Sequence, residues 1–238
     1  PSLQWETILK LKPTVIVAVP SFIFKLIEYA KEHHIDINDT SVKKAICIGE
    51  NIRNTDFSLN TLGKRISEAW NIKLFSTYAS TEMQTAFTEC IECRGGHLQP
   101  ELLIVELLDE MNKPVTAGQP GEVTITTLGV EGMPLLRYKT GDICVYDDTP
   151  CSCGRNTLRL SPIVGRKKQM IKFKGTTLYP PSLFDMLNEM EEVRDFVAEV
   201  YSNDIGMDEV KLHLLPANDS EDCDRKIRSN LQARLRVS

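Results

Sequence analysis

Two short stretches, Cys90-x-x-Cys93-x3-His97 and Cys151-Ser152-Cys153-Gly154, hold the residues whose types and spacing speak most directly of chemistry. Two short-spaced pairs of soft donors on separate turn-like segments are how proteins usually enclose tetrahedral zinc. Five candidates, Cys90, Cys93, His97, Cys151 and Cys153, compete for four positions, and spacing alone would choose Cys93 over His97. A shell closed by thiolates and imidazole would be structural: it would staple two loops and activate no water. Cysteines can also serve simply as small apolar residues, but a C-x-C pair beside a C-x2-C pair is uncommon by chance.

Three further constellations could act on a phosphorylated ligand. Ser76-Thr77-Tyr78-Ala79-Ser80-Thr81-Glu82 ends an apolar run in hydroxyls and one carboxylate, which suits a phosphate and a magnesium ion that keeps most of its waters. A helix start capped by Ser80 or Thr81 would explain the same residues. Arg137-Tyr138-Lys139-Thr140-Gly141-Asp142 places a carboxylate after a glycine turn, where it could accept both hydroxyls of a ribose or simply precede a strand. Gly165-Arg166-Lys167-Lys168, continuing to Lys172-Phe173-Lys174-Gly175, gathers four lysines and one arginine within nine residues. That cationic patch could meet phosphates or form a solvated strand or hinge. No glycine-rich phosphate loop occurs.

The elements that must position these residues follow from apolar periodicity. Leu3, Ile8, Leu9 and Leu11 predict a short helix stopped by Pro13, and Thr14 to Val19 predicts a strand ended by Pro20. A helix follows with Ser21 as its cap candidate. Lys43 to Ile48 and Ile72 to Thr77 predict two more strands, with a helix from about Phe57 to Trp70 between them. Strand–helix–strand alternation implies a parallel sheet covered by helices, in which ligands lie beyond the carboxyl ends of strands. Gly49-Glu50 and Tyr78 to Glu82 stand at such ends. From about Leu102 the pattern changes to short strands broken by Gly and Pro, at Leu103 to Leu108, Glu122 to Thr127 and Asp142 to Tyr146. Beyond Gly165 a small α+β unit is expected, with helices around Leu183 to Met190 and from Glu221, and strands near Phe196 to Tyr201 and Val210 to Leu215.

With 238 residues, the chain can form one large domain or two modest ones. Its 42% hydrophobic and 26% charged content excludes disordered and low-complexity classes. A net charge of −5 offers no global field for nucleic acid or anionic lipid. The longest apolar stretch falls far short of the roughly 20 residues that cross a bilayer. An odd cysteine count in a chain able to build its own core favours a reducing, cytoplasmic setting.

In order along nearly the whole chain, these motifs resemble the adenylate-forming superfamily, most closely the phenylacetate–coenzyme A ligases. The resemblance rests on Val19-Pro20-Ser21-Phe22, Ile48-Gly49-Glu50-Asn51-Ile52-Arg53, Tyr78-Ala79-Ser80-Thr81-Glu82, Glu89-Cys90 through Gly96-His97, Pro134 through Asp142, Cys151-Ser152-Cys153-Gly154-Arg155 and Gly165-Arg166. It implies an α/β fragment of the adenylate-forming fold: residues 1–100 in the large nucleotide-binding domain, 101–164 in a β-rich subdomain, and 165–238 in a mobile α+β domain hinged near Lys168. The implied reaction joins a carboxylic acid to AMP from MgATP, then passes the acyl group to coenzyme A. Tyr78 would stack on adenine, with Gly49 and Glu50 in the pocket wall. Thr81 would contact the α-phosphate and Glu82 would serve magnesium. Asp142 would hold the ribose hydroxyls, assisted by Arg166. Lys168 would stand at the hinge, while Lys172, Lys174 and Gly175 would face the site during thioester formation. For the metal, the resemblance favours Cys90, His97, Cys151 and Cys153 as zinc ligands and leaves Cys93 outside.

The expected partners are a small-molecule acid, ATP and coenzyme A, with a homodimer admissible and neither nucleic acid nor membrane expected. Tyr78-Ala79 and Ile48-Gly49-Glu50 replace the usual Tyr-Gly and Gly-Gly-Glu. Arg166 through Met170 and Lys174 through Pro180 also depart from the usual Arg-Thr-Asp-Asp-Met and Arg-Gly-x-Asn-x-Phe-Pro, so a divergent subgroup with an altered acid is expected. Relatives carry the phosphate-binding loop before the segment matching Pro1 and a catalytic lysine after that matching Ser238, so a fragment inactive in the first half-reaction is expected. The rival readings are an adenylyltransferase of the same fold that makes no thioester, and a zinc-stabilised binding module without catalysis.

Overall fold

The computed structural model describes residues 1–167, 171–173, 176–178, 180–202, 208–218 and 220–235. They fall into two units, Pro1–Lys167 and Lys168–Ser238. The first begins with the expected alternation: α1 (Ser2–Leu11), β1 (Val15–Ala18), α2 (Pro20–Glu32), β2 (Lys44–Cys47), α3 (Thr61–Ala69) and β3 (Lys73–Ala79). β1, β2 and β3 pair in parallel. Their alternating side chains put Ile16, Ala45 and Leu74 in one row beneath the helices, where Trp5 donates its indole N–H to Leu26 O at 2.9 Å.

Local chemistry moved two helix starts. Pro20, expected only to end a strand, occupies the first turn of α2, where its fixed φ and missing N–H carry no penalty. Ser21, the expected cap, therefore lies inside the helix. α3 starts later than the periodicity predicts, because Asp56 Oδ1 accepts both the N–H and the hydroxyl of Ser58 and closes a turn around Phe57. Asn60 then caps the helix by accepting the Gly63 N–H at 2.9 Å.

β3 runs to Ala79, so Tyr78 is a strand residue, and no helix follows it: 81–83 form a turn. β4 (Ala86–Glu89) returns antiparallel to β3, and β5 (Gly96–His97) pairs with β4. The β-rich part supplies β6 (Leu103–Leu108), β7 (Pro120–Thr127), β8 (Tyr138–Asp147), β9 (Arg159–Leu160) and β10 (Gly165–Arg166). The texture change near Leu102 does not interrupt the sheet. All ten strands form one sheet, in the order β1-β2-β3-β4-β5-β9-β8-β7-β6, with β10 alongside β8. Only β1, β2 and β3 are parallel; the remaining pairings are antiparallel. A second core, with Phe87, Leu103, Val123, Ile125 and Leu160, supports the antiparallel part.

The parallel and antiparallel regions are joined by a buried ion pair. Arg53, from the loop after β2, sends Nε to Glu89 at 2.8 Å, with side-chain exposures of 8% and 1%. The same guanidinium donates to Phe57 O and Leu74 O, and Glu89 accepts the Ser76 N–H at 2.8 Å. One charged cluster thus fixes a loop, β3 and β4.

The second unit contains the hairpin β11 (Ile171–Phe173) and β12 (Thr176–Leu178), α4 (Pro180–Asn188), the hairpin β13 (Val193–Ser202) and β14 (Asp208–Pro216), and α5 (Glu221–Leu235). Leu183, Leu187 and Met190 pack against Phe196, Leu212 and Leu214 to form its core. Among the described residues no helix is long and apolar enough to cross a membrane.

Replacing Arg53 with Met should leave Glu89 buried without its counter-ion and cost about 3–5 kcal/mol. Urea unfolding would read this as a lower midpoint at unchanged slope. A loss below about 1 kcal/mol would place the pair among weak surface bridges.

Candidate functional site

A cavity of about 190 Å³ opens beyond the carboxyl ends of β2 and β3, lined by Gly49, Glu50, Tyr78, Asp142 and Arg166 among others. Five of the sequence-predicted positions therefore share one wall. Each is placed by a separate local device.

Asp142 owes its position to a bulge. Between Glu122 and Thr124 the register of β7 against β8 shifts, and the extra residues fall around Thr140-Gly141-Asp142. Gly141 takes φ +79°, a region side chains rarely adopt. Thr140 Oγ1 donates to Val123 O at 2.9 Å and accepts the Asp142 N–H at 3.1 Å. The carboxylate is buried yet lines the cavity. Its Oδ2 accepts the Tyr78 phenol at 2.9 Å and its Oδ1 accepts Arg166 Nε at 2.9 Å.

Tyr78 lies with its ring 5.8 Å from that of Phe87. Burial, more than any neighbouring charge, pushes its phenol far above the ordinary range, so it remains a donor. Glu50 behaves differently from a free pocket carboxylate: its two oxygens accept the Ser21 N–H and hydroxyl, both at 2.9 Å. It thereby caps α2, which has no side-chain cap of its own, and holds the Gly49–Asn51 turn in place. Thr81 and Glu82 lie in the turn after β3 and do not line the cavity. The Glu82 carboxyl is held below its ordinary range by its own backbone N–H and then by the Ser80 hydroxyl.

Lys172 lies on β11 opposite Thr177, in the second unit. Lys168, Lys174 and Gly175 lie outside the described residues. Glu89, which in the sequence stands out only as the neighbour of Cys90, also lines the cavity. Burial raises its carboxyl, opposed by the Ser76 N–H and by Arg53. Asn51, also in the wall, donates to Ile163 O at 3.2 Å and ties two wall segments together.

Next to this wall the cysteine and histidine motifs converge. One donor atom from each of Cys90, His97, Cys151 and Cys153 lies within 4.8 Å of the others, and Cys93 is outside the group. Cys90 Sγ is 3.7 Å from Cys151 Sγ, and Cys153 Sγ is 3.6 Å from His97 Nε2. Cys93 has φ +55° and its Sγ contacts Ile91 O and Leu74 O instead. Gly96, beside His97, lies so close to β4 that a Cβ would sit 2.5 Å from Phe87 O. His97 Nδ1 pairs with Thr157 Oγ1 at 3.0 Å, leaving Nε2 toward the thiols. Burial, followed by Arg155 and Arg159, keeps His97 below its usual range and hence neutral. Burial lifts Cys90 to about 11, whereas the Arg155 backbone N–H draws Cys153 down to about 7. Three thiols and a neutral imidazole are a donor set able to hold a soft or borderline metal ion.

No family model matches the chain. Over 205 residues it is 29% identical to a phenylacetate-coenzyme A ligase of Thermus thermophilus, covering 84% of this chain and 45% of that protein. A phenylacetate-coenzyme A ligase of Escherichia coli is 26% identical over 200 residues, 80% of this chain and 43% of the other. The chain thus spans about half the length of the curated relatives it matches. Among solved structures, a 2-hydroxyisobutyryl-CoA ligase in the postadenylation state superposes with a TM-score of 0.80 at 24% identity, over 99% of this chain and 51% of that one. An anthranilate CoA ligase bound to anthranoyl-AMP gives 0.66 at 18% identity, over 98% and 45%. The chain resembles phenylacetate–coenzyme A ligases in sequence and has the α/β fold of adenylate-forming enzymes.

Proposed function

We propose that this chain supplies the nucleotide-binding cavity and the C-terminal domain of an AMP-forming acid–coenzyme A ligase. Such an enzyme activates a carboxylic acid as its acyl-adenylate and then transfers the acyl group to the coenzyme A thiol. The observation that carries the reading is the Asp142 carboxylate, set on a bulge, facing a cavity and flanked by Tyr78 and Arg166. A carboxylate placed this way can accept the hydroxyls of a ribose, with the Tyr78 ring available to the base and the backbone of Gly49 and Glu50 closing the wall.

The roles of the surrounding residues are those the resemblance implies. Arg166 is a cation next to the ribose site, placed to meet phosphate charge as it develops. Thr81, which lies in the turn after β3 and not in the cavity wall, is assigned to the α-phosphate on the resemblance alone. Glu82, held below its ordinary range by its local hydrogen bonds, is the residue that would hold magnesium, which when bound would neutralise charge on the departing pyrophosphate. Lys172 is assigned to the thioester-forming arrangement, together with Lys168, Lys174 and Gly175. Relatives named for phenylacetate make an aryl or arylacetic acid the first substrate class to test.

Cys90, His97, Cys151 and Cys153 are proposed to hold one structural zinc ion. Tetrahedral zinc with Zn–S of about 2.3 Å and Zn–N of about 2.0–2.1 Å has edges of about 3.8 Å between sulfurs and about 3.6 Å between sulfur and nitrogen. The separations of 3.7 Å and 3.6 Å fit those edges. With four protein donors the shell is closed, which suits a staple between the β4–β5 turn and the loop before β9.

Calorimetric titration with a non-hydrolysable phenylacetyl-adenylate analogue should show micromolar binding to the wild type and none to Asp142→Ala. Equal binding by both would move the nucleotide away from this cavity. For the metal, elemental analysis should find about one zinc per chain, and chelation should lower thermal stability. Full occupancy in Cys151→Ser would refute the site as drawn.

A further inference from the structure

The two hydrogen bonds on Asp142 leave a definite residue of acceptor capacity. An ionised carboxylate offers about four lone-pair sites, two on each oxygen. Tyr78 takes one on Oδ2 and Arg166 takes one on Oδ1. Among the described residues, what remains is one acceptor on each oxygen of a buried group that lines the cavity. Two acceptors on adjacent oxygens match two hydroxyls on adjacent carbons, and a sugar lacking one of them leaves a buried acceptor unmet.

The two donors differ in rigidity. The Arg166 side chain is 60% exposed, so solvent competes for it. The Tyr78 phenol is carried on a half-buried ring packed against Phe87 and anchored on β3, a strand paired on both sides. Thr140 Oγ1 stands 3.5 Å from the same phenol while fixing the Asp142 backbone N–H. The carboxylate plane is therefore held at its backbone by the bulge and at its tip by Tyr78.

Resting on the nucleotide reading above, we propose that Tyr78 is a positioning residue whose phenol turns Asp142 toward a vicinal diol and so selects ribonucleotides over deoxyribonucleotides. This role is separate from any stacking on the base, because phenylalanine keeps the ring and loses only the donor. With that donor gone, Asp142 is free to rotate about its Arg166 contact and the second hydroxyl loses its aligned acceptor.

Calorimetric titration of the 238-residue chain with AMP and with 2′-deoxy-AMP tests this. The wild type should prefer AMP. In Tyr78→Phe, AMP should weaken by about tenfold, the scale of one hydrogen bond to a charged group, while 2′-deoxy-AMP hardly changes; the thermal midpoint should fall modestly, because a buried acceptor loses its donor, with unfolding still cooperative. Asp142→Asn should abolish the preference, and adding Tyr78→Phe to it should change nothing further. Equal weakening of both nucleotides in Tyr78→Phe, or an undiminished preference for AMP, overturns the assignment and leaves Tyr78 as packing alone. A wild type that binds both nucleotides equally well overturns the diol selection but keeps the nucleotide site. One that binds neither removes the nucleotide reading and this inference with it.

Discussion

The buried pairing of Arg53 with Glu89 is the constraint on which the rest of this site depends. A guanidinium and a carboxylate removed from water are costly unless every lone pair and proton finds a partner. Here the partners are the Ser76 N–H and the carbonyls of Phe57 and Leu74, so the pair can exist only if β3, β4 and the loop after β2 hold their present places. It stands where the sheet changes from parallel to antiparallel. The strand ends of a parallel sheet open a crevice, and the return of β4 along β3 gives that crevice a floor.

The same strands serve two sites. Cys90 directly follows Glu89, and His97 directly follows Gly96, while Glu89 and Gly96 both line the cavity. Cys151 and Cys153 lie between β8, which carries Asp142, and β9, which pairs with β5. Holding these four donors together would also fix the registers of β4, β5 and β9 around the cavity. The Gly96 backbone, pressed against Phe87, tolerates no side chain there, so this register has little room to slip.

Asp142 illustrates how a short motif becomes a site. Thr140-Gly141-Asp142 encodes a turn because Gly141 can adopt positive φ and Thr140 can bond the backbone on both sides. That much is local. The turn becomes a bulge in β8, and its carboxylate meets a phenol from β3 and a guanidinium from β10, only because the sheet carries the three segments together.

Much of the fold was legible in residue order. Apolar periodicity placed β1 to β3, β6, and α4, β13, β14 and α5 of the second unit within a few residues, since period and turn chemistry act over short distances. Boundaries failed where local chemistry overrode periodicity: Asp56 postponed α3 by bonding Ser58 and closing a turn, and Pro20 joined a helix it was expected only to precede. The site motifs were also legible as types, with hydroxyls and a carboxylate after a strand and thiols in close pairs. Tertiary structure alone decided that Glu50 would cap α2 by way of Ser21 and that Glu89 would face both Arg53 and the cavity, whereas His97 in place of Cys93 among the thiols was already what the family resemblance implied. The reason is common to both. Each depends on partners brought together across tens of residues by the pairing of the sheet, and for Glu89, on β4, a one-residue change of register would turn the side chain to the opposite face.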